Sequence, residues 1–356
     1  MIVEVLLFCI LLISTLHYWP FQHWVFRTLA FAKIQLSFIQ TIVIAILLTQ
    51  FSSLSDLSII LSAIILLLWL HNLFILLPYT SIYHRESQRL ETSKEAVSFL
   101  SVNVYQYNQQ YHLLIELIKR IQPDILLTME SDKNWEKALE EVEDLFQYSK
   151  KVPQDNTYGI HFYTKLKANK IQVNYFVAED IPSIEADLET KDGDEFTFFG
   201  IHPPPPSPTE EETSKERDAD ILALGQKIKT LKKPCLVVGD FNNVAWSKSS
   251  KLFKKTTQLL DPRIGRGFIS TFHAKYLFFR FPIDLIFHSK SVYIQNLKTE
   301  KHINSDHFPL YGEFVVQHKA QKQDTNTDRP SEDEKETIKE MIKEGKAVES
   351  DNRKML

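Results

Sequence analysis

The sequence predicts a mixed-sheet α/β domain placed behind an apolar N-terminal region. Three observations carry that expectation. The long apolar segments are confined to the first eighty residues. From Val97 onward, short apolar runs of strand length alternate with stretches of helical spacing, and several runs follow one another with no helix between them. The last forty residues are almost wholly polar and cannot bury a core. A chain of 356 residues has room for one large domain or two ordinary ones, and its net charge of -4 excludes a strongly basic nucleic-acid binder by composition. Only Cys9 and Cys235 occur, in different regions, which excludes a disulfide framework or a cysteine-ligated zinc site.

Ile2 to Leu16, Ile34 to Phe51 and Leu57 to Leu77 are the apolar segments, and the last two have roughly the length that crosses a bilayer. The first is short, but Tyr18, Trp19, Phe21 and Trp24 follow it in the manner of an interfacial aromatic belt. A cleaved signal peptide is the competing reading, weakened by Glu4 in place of a basic start and by the lack of a small-x-small cleavage site. Residues 1–80 are therefore expected to form a transmembrane region of three helices, about 2–16, 34–51 and 57–77, with the bilayer as partner. Arg27 and Lys33 follow the first segment, and Arg85, Arg89 and Lys94 lie in the basic linker 81–96. The positive-inside rule places these charges, and everything after them, in the cytoplasm.

The soluble region is expected over 97–318. Val97 to Val104 is a strand ending at Asn103, Tyr111 to Ile121 a helix, and Asp124 to Met129 a strand ending at Glu130. Asn134 to Phe146 has helical spacing, and Tyr158 to Tyr163, Ile171 to Val177 and Ile184 to Leu188 read as successive strands. Glu195 to Ile201 is a further strand, and it delivers His202. The prolines Pro203 to Pro206 then form a stiff loop, either covering an edge or presenting a polyproline motif to a partner. Thr209 to Leu231 is a helix with Glu at its start and Lys at its end. Leu236 to Val238 is a buried strand that stops at Gly239, with Asp240 and Asn242 just beyond. Alone, that stop reads as an Asx turn. Trp246 to Phe281 is loop-rich, Ile283 to Phe287 is a strand with an unexpected carboxylate at Asp284, and Phe308 to Val316 is the last strand. The tail 319–356 is expected to be disordered, with at most a solvated helix near Glu334 to Lys346.

Asn103, Glu130, His202, Asp240 with Asn242, and Asp306 with His307 all fall at strand boundaries, where loops expose chemistry. Carboxylates, amides and two histidines without cysteine suit Mg²⁺ or Mn²⁺, the metals of phosphoryl chemistry, rather than structural zinc. A histidine beside a buried carboxylate is the usual way to orient a base or an imidazolium.

The motifs SVNVY, DILLTME, GIHPPPP, VGDFNN, PIDLIF and SDHFPL, in this order between Val97 and Val316, resemble the endonuclease/exonuclease/phosphatase superfamily of deoxyribonuclease-I-like fold. TYGIHFYTK, IPSIEADL, LLDPRIGRGFISTFHAKY and RFPIDLIFHS look like phrases of a bacterial subgroup with three membrane helices ahead of the catalytic domain. The resemblance implies a four-layer α/β sandwich of two packed mixed sheets flanked by helices. It implies Glu130 as main metal ligand with Asn103 beside it, Asp306 completing the metal environment, and Asp240 with Asn242 across the scissile phosphate. His307, held by Asp284, would be base or charge stabiliser, and His202 would bind a phosphate oxygen or protonate the leaving group. The base is open between His307 and Asp240, and the proline run departs from the superfamily's more ordinary loop. Tyr158, Arg217, Arg263, Arg266 and Arg280 are weaker candidates for meeting substrate phosphates.

Two functions follow as expectations. One is a membrane-anchored, Mg²⁺- or Mn²⁺-dependent hydrolase of phosphodiesters or phosphomonoesters, acting by in-line attack of water on a nucleic acid, a nucleotide or a lipid head group. The other is a catalytically silent membrane scaffold that uses the same fold to bind a partner. No sequence feature identifies a protein partner.

Overall fold

A computed structural model describes residues 2–317, 323 and 328–348. The N-terminal region forms α1 (Ile2–Leu16), the short α2 (Trp24–Thr28), α3 (Lys33–Thr49) and α4 (Asp56–Leu76). A chain of side-chain hydrogen bonds joins the three long helices. Lys33 Nζ donates to Asn72 Oδ1 (2.9 Å), Asn72 Nδ2 to Gln40 Oε1 (3.2 Å), and Gln40 Nε2 to Ser14 Oγ (3.0 Å). In an apolar surrounding such bonds hold helices together where hydrophobic packing gives little preference. Of the three segments expected to span, one is long and apolar enough to cross a membrane, Asp56–Tyr79; the other two are shorter apolar helices of 15 and 17 residues.

The remaining elements build two sheets. The first has the order β10 (Val292–Thr299), β11 (Leu310–Val316), β1 (Val97–Asn103), β2 (Ile125–Met129), β4 (Ile160–Thr164), β3 (Tyr148–Val152). The second runs β5 (Lys167–Asn174), β6 (Ser183–Glu189), β7 (Glu195–Ile201), β8 (Cys235–Asp240), β9 (Asp284–His288). Both are mixed: β1 with β2 and β7 with β8 are parallel, and the other pairs are antiparallel. Phe99, Leu127 and Phe162 of one sheet meet Phe198, Leu236 and Ile286 of the other in the central core. The outer face of the first sheet is covered by α5 (Tyr111–Ile121) and α6 (Lys133–Glu143) around Trp135, and that of the second by α7 (Lys215–Lys229) and α8 (Lys248–Thr257) around Phe253. This is a helix–sheet–sheet–helix sandwich. The expected strands and helices are present within about four residues at either end, except that the helix expected from Thr209 begins only at Lys215. The additions are α2, β3, β10 and α8, the last inside the stretch read as loop.

Two expectations are corrected. The polar tail contributes α9 (Glu332–Lys346), which is docked rather than solvated: Ile338 is buried with Leu222 and Leu252, and Met341 and Ile342 pack against them. Ile338, Met341 and Ile342 form a narrow apolar stripe at helical spacing that the surrounding charges conceal. The disorder expected for 319–327 and 349–356 lies outside the described residues, apart from Gln323, whose Nε2 donates to Val292 O (2.7 Å). The proline run is not a partner-facing motif either, since Pro203, Pro204 and Pro206 are buried.

The N-terminal region and the linker lie against the sandwich. Trp246 Nε1 donates to Ala30 O (2.9 Å), Gly265 N to Pro78 O (2.8 Å), and Leu76 packs with Val244 and Ile283. Glu86 of the linker accepts from Lys254 Nζ (2.6 Å) and from the Asp261 amide (2.8 Å).

The parallel pairs decide where chemistry collects. β1, β2, β7 and β8 all end at one edge, and β9 begins there because Asp284 pairs with Asp240. Gly239 makes this possible: a Cβ on it would lie 2.0 Å from Ile201 O. Gly239→Ala is therefore expected to lose about 3 kcal/mol of stability by forcing β7 and β8 apart. A thermal melt unchanged from wild type would contradict this.

Candidate active site

Asn103 ends β1 and Glu130 follows β2. Asn103 Nδ2 donates to Glu130 Oε1 (2.8 Å) and to Asp240 Oδ2 (3.1 Å), while its Oδ1 accepts from Tyr105 N (3.0 Å). The amide thus ties two carboxylates together and turns its oxygen toward the backbone. Glu130 Oε2 accepts from Gln106 N (3.1 Å). Glu130 and Tyr105 have φ of 59° and 58°, a conformation disfavoured for side chains of their size. Such strain persists only where the surroundings enforce it, and it gathers at functional sites.

Asp240, at the end of β8, is the hub. Its Oδ1 accepts from Asn242 N (2.8 Å), and its backbone N donates to Met129 Sδ (3.2 Å). Its Oδ2 lies 3.4 Å from His307 Nε2 and 3.9 Å from His202 Nε2. The Asx turn read from the sequence is present, but only one oxygen of the carboxylate makes it. Asn242 Nδ2 donates to Pro203 O (3.0 Å), so the first proline of the run fixes the amide. On the far side of His307, Nδ1 donates to Asp284 Oδ2 (2.8 Å). Ser305 Oγ donates to Asn103 O (2.8 Å) and accepts from His307 N (3.0 Å), stitching the segment that carries Asp306 and His307 to β1. Ser305 was not singled out from the sequence. Its only signal there is its place before Asp306-His307.

Burial alone would lower the pKa of His307, but Asp284 and Asp240 on either side raise it to about 10. His202 goes the other way: burial lowers it to about 4, and Asp240 offsets that only in part. One histidine is therefore cationic near neutrality and the other neutral. The Nδ1 of His202 is buried without a hydrogen-bond partner among the described residues. Glu130 is pushed up to about 8, first by burial and then by the charge of Asp306. Burial also raises Asp240.

The sequence profile of the Endonuclease/Exonuclease/phosphatase family matches residues 100–307, well over half of the chain. The chain belongs to the endonuclease/exonuclease/phosphatase family. Members of this family are hydrolases acting on phosphoester bonds. Solved structures are similar over the sandwich. D. rerio TDP2 complexed with a single-strand DNA product is 15% identical, with a TM-score of 0.53 over 63% of this chain and 100% of that one. The human Nocturnin catalytic domain with bound sulfate is 17% identical, with a TM-score of 0.52 over 66% of this chain and 96% of that one. An endonuclease/exonuclease/phosphatase from Bacteroides vulgatus is 19% identical, with a TM-score of 0.51 over 63% and 100%. At these identities the likeness establishes the fold. No curated protein matches the chain.

Two places in this family member have the donors for a divalent cation. Asp240, Asp284 and His307 bring ligand atoms within 4.8 Å of one another. There, however, the cationic ring of His307 already lies between the two carboxylates, with its Nδ1 donating to Asp284. Glu130 with Asp306 fits better: the charge of Asp306 raises Glu130, His307 offsets this only in part, and hard oxygen donors suit a hard ion.

The weaker candidates divide. Tyr158 stands with its ring 5.7 Å from that of His202 and its hydroxyl donating to Glu210. Arg217 is buried, donating to Asp218 Oδ1 (3.0 and 2.8 Å) and to Asn242 O (3.0 Å). Arg263 is buried on both oxygens of Asp261 (2.8 and 2.6 Å). The expectation that these two meet substrate phosphates is corrected: their guanidinium groups are enclosed in ion pairs, and Arg217 positions Asn242. Arg266 lies outside the Asp240 cluster, in a pocket of about 260 Å³ shared with Arg85 and Arg89. Arg280 lies beside the segment carrying His307, its guanidinium 4.9 Å from the ring of Phe308.

Proposed function

We propose that the chain is a membrane-anchored phosphoesterase that works with a divalent cation, water being the nucleophile. The observation that carries this reading is the convergence of Asn103, Glu130, His202, Asp240, Asp284 and His307 from both sheets onto one edge. Asp240 is the proton acceptor for water, because its Oδ1 is held by Asn242 while its Oδ2 faces the site. His307, cationic and held by Asp284, faces the negative charge that builds on the phosphoryl oxygens during attack. That charge is the reason to favour Asp240 over His307 as the base. His202, neutral, donates one hydrogen bond to a phosphate oxygen. Mg²⁺ or Mn²⁺, held by Glu130 and Asp306, would polarise the phosphoryl group and neutralise charge on it.

The anchor is the N-terminal helical region. α4 has the needed length, and α1 and α3, at 15 and 17 residues, would reach about 22 and 26 Å against a core of about 30 Å. Flanking aromatics such as Trp19 and Phe21 would cover the difference. Lys33 is a poor topology signal, since its amine is buried against Asn72 and Tyr18. Cytoplasmic placement therefore rests on Arg27, Arg85, Arg89 and Lys94.

Full-length protein in detergent should hydrolyse bis-p-nitrophenyl phosphate or p-nitrophenyl phosphate with Mg²⁺ or Mn²⁺. Chelation should lower the rate by at least about a hundredfold, reversibly, as expected when some 3 kcal/mol of charge stabilisation is removed. Turnover that survives exhaustive chelation would remove the cation from the reading, and no turnover on either ester would remove the phosphoesterase.

A further inference from the structure

The loop between α8 and β9 carries an apolar projection that the catalytic reading leaves unused. Leu277 and Phe278 are 70% and 72% exposed, and Tyr276 and Phe279 are exposed beside them. Single exposed apolar residues are ordinary, but four in succession are not. Between this projection and α3 lies an open groove of about 970 Å³, whose walls include Phe38 and Ile39 of α3 on one side and Phe268 and Phe278 on the other. Gln35 fixes the pairing: its Nε2 donates to Phe278 O (2.9 Å) and Arg280 O (3.2 Å).

Two observations say what fills the groove. First, its α3 wall continues into the outward face of that helix, where Ile42, Ile46 and Leu48 are exposed. If the N-terminal helices sit in a bilayer, the groove opens directly onto acyl chains, with the aromatics at the interface. Secondly, the other end adjoins the catalytic cluster. Phe279 O accepts from His273 N (2.9 Å), Asp306 O accepts from Ala274 N (2.6 Å), and the Phe272 ring lies 4.9 Å from that of His307. At this junction stands Arg280, which no carboxylate pairs among the described residues and whose Nε is buried without a partner. An apolar trough leading from the helix surface to a guanidinium that meets Ala274 O and the Phe308 ring but no carboxylate among the described residues, beside the segment of Asp306 and His307, matches a molecule with a hydrocarbon tail and a phosphate head. A nucleic acid fits less well: the groove has aromatic faces, but its cations are limited to Arg280 and Lys298, short of the continuous basic track that a strand needs.

We propose that the substrate is a phosphoester lipid taken from the bilayer, its chain lying in the groove between α3 and the 268–280 loop and its phosphate passing Arg280 to reach Asp240 and His307. This rests on the phosphoesterase reading and specifies its substrate class. The reaction is hydrolysis: the water oxygen bonds to phosphorus, the ester P–O bond breaks, and the departing alcohol takes up a proton.

The test uses the full chain reconstituted in phosphatidylcholine vesicles containing phosphatidylglycerol and phosphatidic acid. Headgroup or phosphate release is measured beside turnover of soluble bis-p-nitrophenyl and p-nitrophenyl phosphate and of an oligonucleotide. Leu277→Ser with Phe278→Ser should lower vesicle hydrolysis more than tenfold and leave the soluble esters within about twofold. A photo-crosslinking phenylalanine analogue at position 278 should capture phospholipid, while one at exposed Lys137 should not. Soluble-ester turnover with no lipid captured at 278, or a vesicle rate unchanged in the double variant, overturns the inference and leaves the phosphoesterase standing. An oligonucleotide cleaved faster than the vesicle lipids overturns it as well. Lipid captured at 278 with no ester of any kind hydrolysed overturns the phosphoesterase reading and the substrate assignment with it.

Discussion

Asp240→Asn should lower phosphoester turnover by about three orders of magnitude and leave the unfolding midpoint within a few degrees of wild type. The size follows from removing a positioned proton acceptor, an effect of about 10²- to 10⁴-fold. Asparagine keeps an oxygen to accept from Asn242 N, so the turn after β8 persists. What is lost is the charge facing His307 and His202. A further consequence separates catalysis from structure. His307 owes its raised pKa to two carboxylates, so with one neutralised its titration moves to lower pH, and the alkaline limb of any residual activity should move with it. A variant that turns over like wild type would leave Asp240 as no more than a cap.

His307→Ala should remove both activity and stability. Asp284 and Asp240 are both buried, and without the imidazolium they face each other with no cation between them. Breaking a buried pair in this way costs about 3–5 kcal/mol. The sign of the pH dependence is fixed by the direction of the shift. The pKa of His307 is raised from 6.5 in the unfolded chain to about 10 in the fold. Its contribution to stability is therefore complete below about pH 6.5 and is lost as pH rises through 10. Wild-type protein should melt at progressively lower temperature between pH 7 and 10.5, and His307→Ala should lack that part of the slope. His307→Gln, which can still donate to Asp284, should recover much of the fold without recovering turnover. Parallel melting curves for wild type and His307→Ala across that range would refute the assignment of charge.

The individual strands and the polar residues at their ends were legible in the sequence because their signals are local, whereas the two-sheet sandwich and the residue roles came from the resemblance of the motifs. A run such as Leu236 to Val238 closed by Gly239 marks both a buried strand and the carboxylate at its end, and Asp284 stood out as a charge where an apolar residue was expected. The elements that were missed lack such contrast. β3 reads YSKKV and is half exposed at a sheet edge, so its alternation is weak. α8 reads KSSKLFKKTT, and only Leu252 and Phe253 announce its buried face. Arg217 and Arg263 were misread because surface arginines outnumber buried ones. The contrary signal was a carboxylate one residue after the first and two before the second. The groove beside α3 was beyond local reading altogether, since its walls are some 240 residues apart in the chain.

The pairing of β1 with β11 has a consequence for how the protein is made. Val97 to Ser101 find their neighbours at Leu310 to Phe314, so one flank of the first sheet's central strand waits for a segment made more than two hundred residues later. The apolar N-terminal helices emerge long before that. A growing chain thus elongates through more than two hundred residues with that β1 edge uncovered, and closing so distant a contact is intrinsically slow. Asp306 and His307 arrive with the same late segment. The hydrolytic centre and the finished sheet are completed together, and a prematurely ended polypeptide has neither.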